Sequence, residues 1–372
     1  MSTATRQVGL SAPWIDERDE ELVLETLRSG RLSLGPAGPR FEELLAEAVG
    51  ARYCAAVSSG TAGLHLCMRL AGVEAGDEVI TSPYSFVASA NCAIYEGAKP
   101  VFAEIDPRTF NLDPAAVAAA ITPRTKAIVA VDIFGYPCEL DRLRDLCEYH
   151  GLRLVEDACE ALGARYKGQP LGSHGHPTVF AFYPNKQLTT GEGGAVTTND
   201  QDEHGLLVSL RNQGRLDTRS WLMHGRLGYN YRLDDVSAAL GIGQLEKLDR
   251  ILDGRRAVAE RYAELLADVD VETPLPDDAD HERSWFVYVV KLPTGIDRDA
   301  VVERLAEHGV ASAPYLPSIH LQDYMRERYG FREGMLPVSE DCSRRTLALP
   351  FHARLDPGDQ EYVVESLRRV LQ

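Results

Sequence analysis

A chain of 372 residues, 44% of them hydrophobic, can bury a large core and divide into two or three domains. Its 39 basic against 56 acidic residues leave a net charge of −17, which argues against a phosphate backbone or an anionic membrane surface as the main partner. No run approaches the roughly 18 apolar residues of a membrane helix, and seven cysteines without a C-x-x-C pair indicate neither a disulfide framework nor a zinc knuckle. The opening MSTATRQVGLSAPW has no charged segment followed by an apolar one, so a cytoplasmic protein is expected.

From about residue 53 to 200, short apolar runs alternate with helical stretches, the pattern of an α/β domain with a mainly parallel sheet covered by helices. Strands are predicted at 53–58, 78–82, 100–105, 127–132, 153–156, 178–182 and 195–198. The helices between them carry apolar residues at helical spacing, as in Leu64, Met68 and Ala71, or Leu143, Leu146 and Cys147. A long helical stretch is predicted from 234 to about 269, carrying Val236, Leu240, Leu245, Leu248, Ile251 and Leu252. The Pro/Asp-rich segment TPLPDDADHE then marks a boundary, with a large domain over 1–269 and a smaller C-terminal α+β domain over 270–372. In the latter, WFVYVVKL reads as a strand and DAVVERLAEHG as a helix ending on Gly309.

Three segments carry chemistry. VSSGTAGLHL runs from a strand through a Ser/Gly turn into a helix, placing free backbone N–H groups and the Thr61 hydroxyl at a helix N-terminus, an anion cradle. Alone this is more often an ordinary N-cap, but Gly60 lets a phosphate approach the backbone. RLVEDACEALGA ends an apolar strand in Glu156 and Asp157, and Asp157 falls where open α/β sheets place ligands. A strand-end Asp commonly caps a loop; in a cleft its charge would keep a pyridine nitrogen protonated. In TVFAFYPNKQLTTGEGGAVTT, Lys186 lies between two core strands, unlike the usual solvated lysine, and desolvation there favours the neutral amine a Schiff base needs. A phosphate cradle, a pyridinium partner and an imine-forming amine together specify pyridoxal 5'-phosphate (PLP).

These segments, with GDEVITSPYSFVASANCAIYEGAKPVF, ITPRTKAIVAVDIFGYP, LGYNYRLDDVSAALG and YLPSIHLQ, resemble the DegT/DnrJ/EryC1/StrS family over nearly the whole chain. The resemblance implies a fold-type I, PLP-dependent sugar aminotransferase. By it, Lys186 is the Schiff-base lysine and proton shuttle, Asp157 the partner of the pyridine nitrogen, and Gly60 and Thr61 phosphate ligands, while Phe86 lies against the cofactor ring. Asn230 would reach the phosphate of the neighbouring subunit's cofactor, making a homodimer with shared active sites the catalytic unit. Tyr315 and His320 become substrate-side candidates, with a packed loop Tyr and His as the plain alternative. The expected reaction moves an amino group from L-glutamate to a nucleotide-linked keto-deoxysugar through pyridoxamine phosphate.

Two positions depart from the family pattern. Ala181 stands where a serine often helps hold the phosphate. Glu160 stands where Gln or His is common near the phenolic oxygen, so it would be protonated or turned away. Alternatives on the same site are amino transfer to a cyclitol or other ketone, dehydration, or a regulatory protein that keeps PLP without turnover. Lys186, rather than a histidine, argues for transamination. No Gly-x-Gly-x-x-Gly turn and no P-loop is present, and the H-x-H of His174 and His176 reads as a loop rather than a metal site.

Overall fold

The computed structural model describes residues 6–216 and 223–372. Along the chain come β1 Tyr53–Val57, β2 Glu78–Thr81, β3 Lys99–Phe102, β4 Thr125–Val131 and β5 Arg153–Asp157. Two short strands, β6 Arg165–Tyr166 and β7 Gln169–Pro170, precede β8 Thr178–Ala181 and β9 Gly194–Thr198. The seven longer strands are the seven predicted ones, and they form one sheet in the order β1-β9-β8-β5-β4-β2-β3. Pairing is parallel from β8 through β3, and β9 runs antiparallel to both β1 and β8.

The sheet is mainly parallel because helices cover both of its faces, and its strands are accordingly apolar on both sides. Alternate residues feed opposite cores: Ile80, Ile128 and Phe180 enter one cluster, Val79, Val129 and Val179 the other. In register, Val131 pairs with Asp157, Asp157 with Val179, and Gly194 with both Ala181 and Val57. The carboxyl ends of four strands therefore meet at one edge, with the start of β9 between two of them.

The C-terminal region holds β10 His281–Glu282, which joins β6 and β7, and then β11 Tyr288–Lys291, β12 Ala313–Pro314 and β13 Thr346–Leu349. The last three form an antiparallel sheet in the order β11-β13-β12. The predicted helix before Gly309 spans Arg298–Glu307, and Gly309 follows it at φ 74°, where a side chain would be strained.

The long helix expected over 234–269 is corrected to two helices, Asp235–Leu245 and Leu248–Leu265. Apolar spacing continues across both, but Lys247 leaves helical geometry at φ −123° and ψ 16°. Its ammonium, 6% exposed, pairs with Asp19 and lies 2.7 Å from Asp16, both from the N-terminal segment. The break thus follows from burying a lysine against two distant carboxylates. Beyond it, Val258, Ala259 and Tyr262 pack in one cluster with Tyr288, Val290 and Leu347.

Candidate active site

The converging strand ends and their following turns enclose a cavity of about 530 Å³. After β1 the chain enters the helix Gly60–Leu70, capped by Ser59, whose Oγ accepts the Ala62 N–H at 3.1 Å. Gly60 and Thr61 line the cavity, and their N–H groups belong to the first turn, where no intrahelical carbonyl reaches them. A Cβ added at Gly60 would meet Ala181 Cβ and Cys159 Sγ, each at 2.8 Å, so only glycine fits there. The result is an anion-binding notch at a helix N-terminus.

Asp157 ends β5 on the cavity floor and is 4% exposed. Its Oδ2 accepts the Ser89 hydroxyl at 2.7 Å, and its Oδ1 accepts the Cys159 N–H at 3.3 Å. Ser89 Oγ is in turn 2.7 Å from the Oγ of Ser85, four residues earlier in the chain. A carboxylate held at both oxygens offers a fixed negative charge to a cationic ring nitrogen.

Lys186 follows β8. Its Nζ lies 3.9 Å from the centroid of the Phe286 ring and 3.5 Å from Glu160 Oε1. The loop that carries it is held from behind by Arg255, on the helix Leu248–Leu265. Arg255 donates to the carbonyl of Lys186 at 2.9 Å and of Asn185 at 3.4 Å, and on its other side to those of Phe286 at 3.0 Å and Trp285 at 3.2 Å. Burial alone pushes this guanidinium down to about 10.

Gly60, Thr61, Phe86, Asp157, Glu160, Lys186 and Tyr315 thus share one cavity, with Ala181 beside Gly60. Phe86 is 62% exposed at its mouth. Glu160 is not turned away: Oε2 accepts the Phe134 N–H at 3.0 Å, and burial drives the carboxyl above its ordinary range despite Lys186. Burial, then the charge of Glu160, also pushes the Tyr315 phenol up. His320 does not line the cavity. It is fully buried, with Nε2 3.0 Å from Glu340 Oε1 and its ring beside Phe102 and Phe331. Asn230 is exposed and outside this cavity, bridged by its backbone to Asn212.

Sequence reasoning missed Ser89, Phe286 and Arg255. The Ser85/Ser89 spacing of one helical turn was a usable signal for the first. Phe286 reads as an ordinary strand residue and Arg255 as one of several helix arginines. Among the described residues no cluster of His, Cys, Asp or Glu could hold a metal ion, and His176 instead lies 3.1 Å from Glu156. No described helix is long and apolar enough to cross a membrane.

The residues present fit PLP: the notch at Gly60 would take a phosphate, Asp157 a pyridine nitrogen, and Lys186 an aldehyde carbon. The model of the DegT/DnrJ/EryC1/StrS aminotransferase family matches residues 13–368. The chain belongs to this family. It is 37% identical to the GDP-perosamine synthase of Caulobacter vibrioides over 98% of each chain. It superposes on DesV of S. venezuelae with a TM-score of 0.91 at 32% identity, covering 98% and 99% of the two chains. The PLP form of Spr1654 from Streptococcus pneumoniae matches with a TM-score of 0.94 at 28% identity, covering 98% and 99%. The protein is therefore an enzyme, a PLP-dependent aminotransferase with the fold-type I architecture.

Proposed function

We propose that this aminotransferase transfers an amino group from L-glutamate to a nucleotide-linked keto-deoxysugar. The observation that carries the reading is the meeting of Lys186, Asp157 and the Gly60/Thr61 notch in one cavity, within a chain whose relatives include a GDP-perosamine synthase. PLP, when bound, supplies the electron sink that makes amino-acid carbon–hydrogen bonds labile. The protein does the rest.

The Gly60 and Thr61 amides bind the phosphate, and Asp157, fixed by Ser89 and the Cys159 N–H, keeps a positive charge on the pyridine nitrogen. Lys186 would hold the cofactor through its aldehyde carbon and, as a free amine, would take a proton at Nζ and hand it back, with the Phe286 ring 3.9 Å from Nζ. Phe86 and Tyr315 also line the cavity.

The catalytic unit in this reading is a homodimer. Asn230 is exposed and does not line its own chain's cavity, which suits a residue reaching a partner's phosphate. Apolar side chains around the same region are also uncovered: Leu34 is 68% exposed, Leu216 62%, Met223 67% and Leu227 81%.

The deciding experiment is the absorbance of the PLP-loaded protein before and after L-glutamate, without acceptor. The visible cofactor band should fade as a near-ultraviolet band grows, and a nucleotide keto-sugar should reverse the change. A band indifferent to glutamate and to other amino donors would overturn transamination; reversal by simple ketones but not by nucleotide sugars would overturn the acceptor class.

A further inference from the structure

Lys186 shares the centre of the cavity with a carboxyl group that has no part in the scheme above. Glu160 is pinned at three points: Oε2 by the Phe134 N–H at 3.0 Å, its carbonyl by Gln187 Nε2 at 2.6 Å, and Oε1 by Lys186 Nζ at 3.5 Å. Both side chains of the contact are largely buried, Lys186 at 14% and Glu160 at 10% exposure. The groups that face Glu160 are Lys186 from the loop after β8, Asp157 and Cys159 from its own segment, and Tyr315 from the C-terminal region. Of these groups, Glu160 is the carboxyl in contact with the amine.

Holding this contact as carboxylate and ammonium means desolvating two charges at a distance too long for a strong bond. Moving one proton from Nζ to Oε1 leaves a carboxylic acid and a free amine. The net charge of the cavity is unchanged and neither group is ionised. Burial, the largest influence on Glu160, pushes its carboxyl up in the sense this transfer requires. We propose that Glu160 is a second acid–base residue of this site and shares a single proton with Lys186 across the Oε1–Nζ contact. In the transfer an N–H bond of the ammonium breaks, its electron pair stays on Nζ, and an O–H bond forms at Oε1; nothing else is consumed. Lys186 thereby becomes the free amine that imine formation needs, without releasing a proton to water, and the proton is stored where Nζ can take it back. The proposal rests on Lys186 being the imine-forming residue.

The test uses cofactor-free protein over a pH series, with brief acetic anhydride labelling and mass-spectrometric quantification of acetyl-Lys186 against the exposed Lys99. Two sites that share a proton titrate in two macroscopic steps. Wild-type labelling should rise in two steps about one pH unit or more apart, and Glu160→Gln, which still accepts the Phe134 N–H, should show one. A single step in the wild type, or two steps retained in Glu160→Gln, would overturn the shared proton. If the variant does not fold, the infrared band of a buried protonated carboxyl in the wild type decides. It should fall in the same two steps as Lys186 labelling rises, and its absence where Lys186 is half labelled refutes the proposal. PLP loading is scored separately by visible absorbance. No band in the wild type would refute the site, whereas a normal band with single-step labelling refutes only the role of Glu160.

Discussion

Gly60 and His320 show how differently single residues reveal themselves. Gly60 sits where a methyl group would overlap Ala181 and Cys159, so the sequence signal, a glycine at the start of a helix, reported a real steric demand. Gly60→Ala would push the start of the helix away from the Ala181 Cβ and the Cys159 Sγ and so displace the notch from the phosphate. A loss of PLP affinity of about tenfold or more, roughly 1.4 kcal/mol, is expected in equilibrium dialysis; unchanged affinity would remove Gly60 from the phosphate site. His320 gave the opposite lesson. Its motif follows the cavity residue Tyr315 in sequence, yet its ring points into the protein toward Glu340, a carboxylate twenty residues downstream that no local pattern links to it. Direction of a side chain within a loop depends on distant packing. Glu160 lies between these cases: its identity raised the right electrostatic question, and only geometry excluded the turned-away answer.

Among the elements, the strands of the large sheet were legible because burial on both faces makes each one a short uninterrupted apolar run. The helix break at Lys247 was not, since its cause is a pair of carboxylates more than two hundred residues away. Arg255 was hidden for a related reason: an arginine on a helix looks like surface, and its four carbonyl partners come from two other segments. Removing it should be costly. Arg255→Met would deprive one buried and three partly buried carbonyls of this donor, and a loss of about 3 kcal/mol or more is expected. Urea unfolding should show the lower midpoint with an unchanged slope; a change under about 0.5 kcal/mol would show that the carbonyls find other donors.

For the whole molecule, the composition argued against nucleic acid and membrane surfaces as partners, and Leu34, Leu216, Met223 and Leu227 are exposed apolar side chains that the proposed homodimer would have to cover or leave in water. The proposed sharing of sites makes a distinctive prediction. Lys186→Ala and Asn230→Ala chains should each be impaired alone, but unfolding and refolding them together should restore activity. Random pairing gives one intact site in each mixed dimer, about a quarter of the wild-type sites. No recovery despite demonstrated mixed dimers would mean that each chain completes its own site. The Arg255 clamp ties the Lys186 loop to the segment leading into β11 through a helix packed in the C-terminal core. A loop held in this way cannot fray by itself. Its amide protons should exchange with deuterium in step with those of β11, as a single cooperative unit, so the reactive lysine is as rigid as the small sheet on the far side of the clamp.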